Sequence, residues 1–126
     1  MRTIITLLAA GAVAAAAAPA GTTATGAAHC PSALLPLGAN SIGPAVAATL
    51  RADPAKNRPQ VTGAMLAPAD VQRGSQAKAQ CGSTVWQRTV VVYVTDRALL
   101  PAQSLSQRVV FVGRTATGYR IWQRVH

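Results

Sequence analysis

The 126-residue chain contains no glutamate, and its only carboxylate side chains are Asp53, Asp70 and Asp96. Chemistry that relies on clustered acids, such as paired-carboxylate hydrolysis or a calcium loop, has almost nothing to draw on. Histidine is nearly as scarce, with His29 early in the chain and His126 at its last position. Terminal residues make poor oriented bases, so a Ser-His-Asp arrangement is not expected. Cys30 and Cys81 are the only cysteines and form no C-x-x-C, which excludes a dithiol redox motif and leaves too few thiolates for a zinc knuckle. No G-x-G-x-x-G or H-E-x-x-H pattern occurs. These gaps predict no catalytic residue, no cofactor and no bound metal.

The start of the chain is distinctive. Met1-Arg2 supplies a short positive segment, and Ile4 to Ala18 is an unbroken run of apolar or small residues. Its fifteen positions fall short of the roughly 20 that span a bilayer as a helix. Ala18-Pro19-Ala20 and Gly26-Ala27-Ala28 both offer small-residue cleavage sites, so residues 1–28 read as a signal peptide cut near 20 or 28. The alternative is an uncleaved Ala-rich anchor. A lipid-modified Cys30 fits poorly, because bulky His29 stands where such signals carry a small residue. Export would place Cys30 and Cys81 in an oxidising compartment, where two cysteines most simply form one disulfide. The localisation expected is therefore secreted or cell-envelope, with no transmembrane span after leader removal.

Residues 29–126 are long enough for one domain with a single hydrophobic core. After a Pro- and Gly-containing arm, Asn40-Ser41 gives helix N-cap chemistry with Pro44 in the first turn. Ile42, Ala45, Val46, Thr49 and Leu50 form an apolar stripe, and Asp53-Pro54 ends the helix. A weak strand is expected over 61–67. SQAKAQC at 75–81 alternates small and polar residues and favours another strand after a turn at Gly74; a helix from Asp70 to Cys81, capped by Gly82, is the alternative. Three clearer strands follow at 84–95, 106–113 and 118–125, rich in β-branched residues, with the last two joined by a hairpin over 114–117. The fold class expected is α+β: one N-terminal helix packed on a four- to five-stranded antiparallel meander.

Short motif matches carry little. Ser75-Gln76-Ala77-Lys78 has the S-x-x-K spacing of penicillin-binding proteins and β-lactamases, but their S-D-N and K-T-G elements are missing. Gly113 and Gly118 have phosphate-loop spacing, but Tyr119-Arg120 follows where Lys-Ser/Thr should stand.

The helix-on-meander layout resembles cystatins and the nuclear-transport-factor and ketosteroid-isomerase group. Gln60-Val61-Thr62-Gly63 is similar to the cystatin Q-x-V-x-G loop, with Thr62 at the valine position and Ala64 at the last glycine. The second resemblance implies a pocket with an aspartate base opposite a tyrosine hydroxyl, for which Asp70, Asp96, Tyr93 and Tyr119 are the candidates.

Positive charge is the strongest signal left. Beyond residue 28 there are eleven Lys and Arg against three Asp, a net +8. Arg88, Arg108, Arg114, Arg120 and Arg124 fall on the expected strands or their hairpin. Alternation places Arg120, Trp122 and Arg124 on one strand face, and with Trp86 and Arg88 near by they would make a cationic, aromatic surface. The candidate anion-binding residues are therefore Arg88, Arg120, Trp122 and Arg124. The competing reading is that Trp122 is core and the arginines are a solvated rim.

Over residues 80–126, the pieces CG, R-T-V-V-V, S-L-S-Q and G-Y-R-x-W resemble small exported proteins of high-GC actinobacteria. That resemblance implies secretion and a similar fold, and transfers no functional residue. The function expected is a non-enzymatic, exported basic domain contacting anionic cell-wall or extracellular polymers, with no specific nucleic-acid motif. The alternatives are a small pocket-containing enzyme or ligand binder, and a protein-interaction or inhibitor module.

Overall fold

The computed structural model describes residues 29–99 and 106–126. The expected leader at 1–28 and the end of the loop after Asp96 lie outside the described residues. Helix α1 (Ile42–Ala52) comes first, followed by strand β1 (Pro59–Leu66), helix α2 (Arg73–Gln87), and strands β2 (Thr89–Asp96), β3 (Gln107–Thr115) and β4 (Gly118–Val125). The four strands form one antiparallel meander in the order β1-β2-β3-β4. The α+β class, the N-terminal helix and the meander agree with the sequence reading.

Two local expectations are corrected. Residues 75–81 lie in α2, and the strand expected from Thr84 begins only at Thr89. Small and polar alternation suits a strand, but Ala, Gln, Lys and Arg are also strong helix formers. Tertiary packing decides between them: Gly74 and Ala77, three apart on one helix face, are both buried against the 3₁₀ turn Ala67–Ala69. Gly82 breaks α2 at φ 87°, a conformation that side-chain-bearing residues rarely adopt, and the helix then resumes to Gln87.

This second helix gives the sheet two covered faces. Val90, Val92, Val94, Val110 and Val112 pack with Ala45 of α1, while Val91, Val109 and Phe111 pack with Ala77 of α2 and Ala67. The consecutive valines Val90, Val91 and Val92 are therefore all fully buried, as in strands covered on both sides. In α1, Ala45 and Thr49 are buried as expected, but Leu50 is 39 % exposed. Ser41 holds the N-cap position, yet its hydroxyl accepts the Gly38 N–H (2.9 Å) instead of a helix amide. Asp53 leaves the helix in extended geometry just before Pro54.

The N-terminal arm is fastened at three points. Cys30 is disulfide-bonded to Cys81 with Cα atoms 5.4 Å apart. Leu34 lies directly on Gly113, where an added Cβ would come within 2.4 Å of its side chain. The Leu35 N–H donates to the Arg114 carbonyl at 2.7 Å. Among the described residues, no helix is long and apolar enough to cross a membrane.

Candidate anion-binding surface

All three carboxylates are withdrawn from solvent. Arg108 on β3 donates through one Nη to Asp53 and, at 3.1 Å, to Asp96. The three side chains are only 10 %, 2 % and 3 % exposed respectively. Arg108, Asp96 and Val94 share the α1 face of the sheet, and the helix end delivers Asp53 to the same place. Two acids thus share one buried cation. Burial pushes the Asp53 carboxyl up from its ordinary value; Arg108 and Arg124 oppose the rise and Asp96 adds to it.

Asp70 is used differently. Its Oδ1 accepts the Gln72 and Arg73 N–H groups at 3.1 and 3.0 Å, at the start of α2, where unpaired amides favour an acid. Its Oδ2 accepts the Tyr93 hydroxyl. Burial opposes ionisation of Asp70, but the hydrogen bonds from Tyr93, Arg73, Gln72 and Gly74 outweigh it and hold the carboxyl below the usual range. Burial and the bond to Asp70 together push the Tyr93 hydroxyl up to about 12.

The pair expected from the isomerase-like layout therefore converges as Asp70 and Tyr93, while Asp96 and Tyr119 lie elsewhere. Tyr93 borders a cavity of about 480 Å³, together with Thr62, Gln72, Arg73, Gln107 and His126. The inhibitor-like segment 60–63 lies within β1, hydrogen-bonded to β2. Ser75 donates to the Gln72 carbonyl and Lys78 sits 4.6 Å from the Trp86 ring centre, so the S-x-x-K residues are occupied separately.

The four candidate anion-binding residues divide. Arg88 donates to the Leu34 carbonyl at 2.6 Å and so fastens the arm. Trp122 packs into the α2-side core, 5.1 Å from Phe111 between ring centres, and its Nε1 donates to Thr89. A β-bulge explains why it does not share a face with Arg124: Ile121 pairs with Val112 and Gln123 with Phe111, leaving Trp122 as the extra residue. Beyond the bulge the alternation is reset, and Arg124 pairs with Val110 of the α1-side core.

Arg120 pairs with Gly113, on the Phe111 face of the sheet, and Arg124 with Val110, on the opposite face, so the two arginines do not share a face, although both border a groove of about 500 Å³ between α1 and β4. The sequence reading missed the third cation there, Arg51, in the last turn of α1. Its position beside Ala48 and Ala52 on the helix surface gives no signal without knowledge of which strand α1 covers. No family model matches the chain, and no curated protein or solved structure matches it either.

Proposed function

We propose that this chain is an exported, non-enzymatic domain that contacts anionic envelope or extracellular polymers through an unopposed positive surface. The observation that carries this reading is the fate of the acids. Asp53, Asp70 and Asp96 are all buried and bonded, so no aspartate side chain is left on the surface to offset the arginines. Of the cations beyond residue 28, only Arg108 is neutralised by side-chain ion pairing among the described residues. A field of one sign raises the local concentration of polyanions and speeds encounter with them. The signal-like leader, the disulfide and the resemblance over 80–126 support export.

Retention on an immobilised polyanion tests the reading. The account expects binding at low ionic strength that weakens steeply as salt rises, because ordered counterions are released on contact. Absent binding, or binding indifferent to salt, would refute it.

The pocketed-enzyme reading has one observation in its favour, the Tyr93–Asp70 bond beside the second cavity. Asp70 already accepts two amide N–H groups as well as that hydroxyl, which weakens it as a base. The cavity lining of Thr62, Gln72, Arg73 and Gln107 is also polar, unlike an apolar steroid-type pocket. Both features favour the binding reading.

A further inference from the structure

We propose that the free edge of β4 is a docking site for an extended acidic peptide, which adds to the sheet as a fifth strand in the groove beside α1. This inference rests on the unopposed positive surface and adds a place and a partner to it. The sheet order leaves β4 with a neighbouring strand on one side only. Among the described residues, the main chain of 119–125 makes no hydrogen bond to any element but β3. Such a row of unpaired N–H and C=O groups is a template for one more strand.

The groove of about 500 Å³ follows that edge. Gly118, Tyr119 and Ile121 line it on the strand side, and Ala48, Arg51 and Ala52 on the helix side. An open strand edge beside a helix lets a peptide form main-chain bonds along one side and side-chain contacts along the other. The bulge at Trp122 interrupts β4, so the regular stretch open to pairing is 118–121.

The arginines select the occupant. Arg120 stands on the α2 face of the sheet, whereas Arg124 stands on the α1 face, where Arg51 borders the groove from the helix. All three are exposed, and among the described residues none of their guanidiniums donates to a protein acceptor. A strand presents successive side chains to opposite faces, so an added acidic strand meets a guanidinium on each face. An anion lodged on one face would meet only part of this set. Phosphate and sugar polymers also lack the alternating N–H and C=O groups that the edge can pair with. A second copy fits poorly here, because two β4 edges laid together bring arginine against arginine. The other edge strand, β1, carries no charged residue, so the cations mark the β4 edge alone.

The test uses the disulfide-closed protein and a capped peptide of glutamate and threonine, about ten residues long, at low ionic strength. Its acids lie on both faces of the strand it would form. The same peptide methylated at every backbone nitrogen keeps the charge and blocks main-chain pairing, and linear polyphosphate supplies a polyanion with no peptide backbone. The unmethylated peptide is expected to bind about tenfold more tightly than the methylated one. It is also expected to slow amide hydrogen exchange over 118–121. Arg51→Gln, Arg120→Gln and Arg124→Gln should each weaken it about two- to fivefold, and Lys56→Gln, outside the groove, should weaken it less. Equal binding of the two peptides, or an Arg120→Gln variant that binds like wild type, would overturn strand addition. Protection of 118–121 that rises with protein concentration in the absence of peptide would put a second copy on the edge and overturn the assignment. Binding of polyphosphate without the peptide would overturn this inference and leave the polyanion reading intact. Binding of neither would refute that reading as well.

Discussion

At the scale of single residues, Arg108 is the most consequential side chain. Among the described residues it is the only cation bonded to two buried carboxylates, and one of its own atoms, Nε, has no partner there. Replacing it with Met leaves Asp53 and Asp96 buried without their cation, which should cost about 3–5 kcal/mol in urea unfolding at neutral pH. The sign of the pH dependence follows from Asp53. A carboxyl whose folded pKa is raised contributes stability below its unfolded value that is lost as pH rises through the folded one. Removing Arg108 deletes a charge that opposes that rise, so Arg108→Met should be least destabilised near pH 4 and most near pH 8. A deficit independent of pH would show that Asp53 does not sense Arg108.

Asp70 and Tyr93 titrate in opposite directions. Asp70 is held below its ordinary 3.8, so its contribution is present above that value and is lost as acidification passes through the folded pKa. Tyr93 is pushed up from 10 to about 12, so its contribution is complete below pH 10 and is lost as pH rises toward 12. Ultraviolet or NMR titration of the phenol should find Tyr93 ionising near 12. In Asp70→Asn it should move down but stay above 10, because burial is the larger cause. The same substitution should remove the acid-side loss of stability assigned to Asp70.

At the scale of elements, two close approaches differ in kind. A Cβ on Gly74 would meet the Ala67 carbonyl oxygen at 1.8 Å, whereas one on Gly113 would meet the flexible end of Leu34. Backbone cannot yield as a side-chain tip can, so Gly74→Ala should be the costlier change, above about 3 kcal/mol against about 1–2 for Gly113→Ala. Trimming Leu34 to Ala should recover part of the second loss and none of the first. Thermal or urea unfolding of the four variants checks the ranking.

The disulfide belongs to the same scale, joining the arm to the helix just before the Gly82 break. It closes a loop of 51 residues' separation, for which chain entropy gives roughly 4 kcal/mol. Reduction should lower stability by about that amount, and native protein should label at neither thiol until reduced. Intact mass with and without reduction measures the labelling.

How far these elements were legible varied with the physics that fixes them. The valine-rich strands and the Asp53-Pro54 helix stop are local signals and were read directly. The segment 73–87 was not, because its helix is decided by contact with the 3₁₀ turn at Ala67–Ala69, which no short window contains. Likewise Trp122 looked like a neighbour of Arg124 until one bulged residue changed the alternation.

At the scale of the whole molecule, the sequence gives the charge imbalance directly, while the fold determines where each sign resides. Three acids against eleven cations is an arithmetic fact, yet three exposed aspartates could still have paired with the groove arginines. Instead Asp53 and Asp96 serve Arg108, and Asp70 serves Tyr93 and the start of α2. The fold thereby places its acids in buried bonds and, among the described residues, leaves every arginine but Arg108 without a carboxylate partner. Arg51 could not be joined to Arg124 from sequence, since about seventy residues separate it from β4 and only the packing of α1 on the sheet sets both beside one groove.

The most direct measurement of this account is carboxyl labelling of the native protein with a water-soluble carbodiimide and glycinamide, read by peptide mapping. The account predicts that Asp53, Asp70 and Asp96 stay unmodified in the folded chain and that all three react in urea. Ready labelling of any one of them in the native state would return an acid to the surface and contradict the unopposed positive charge on which the functional reading stands.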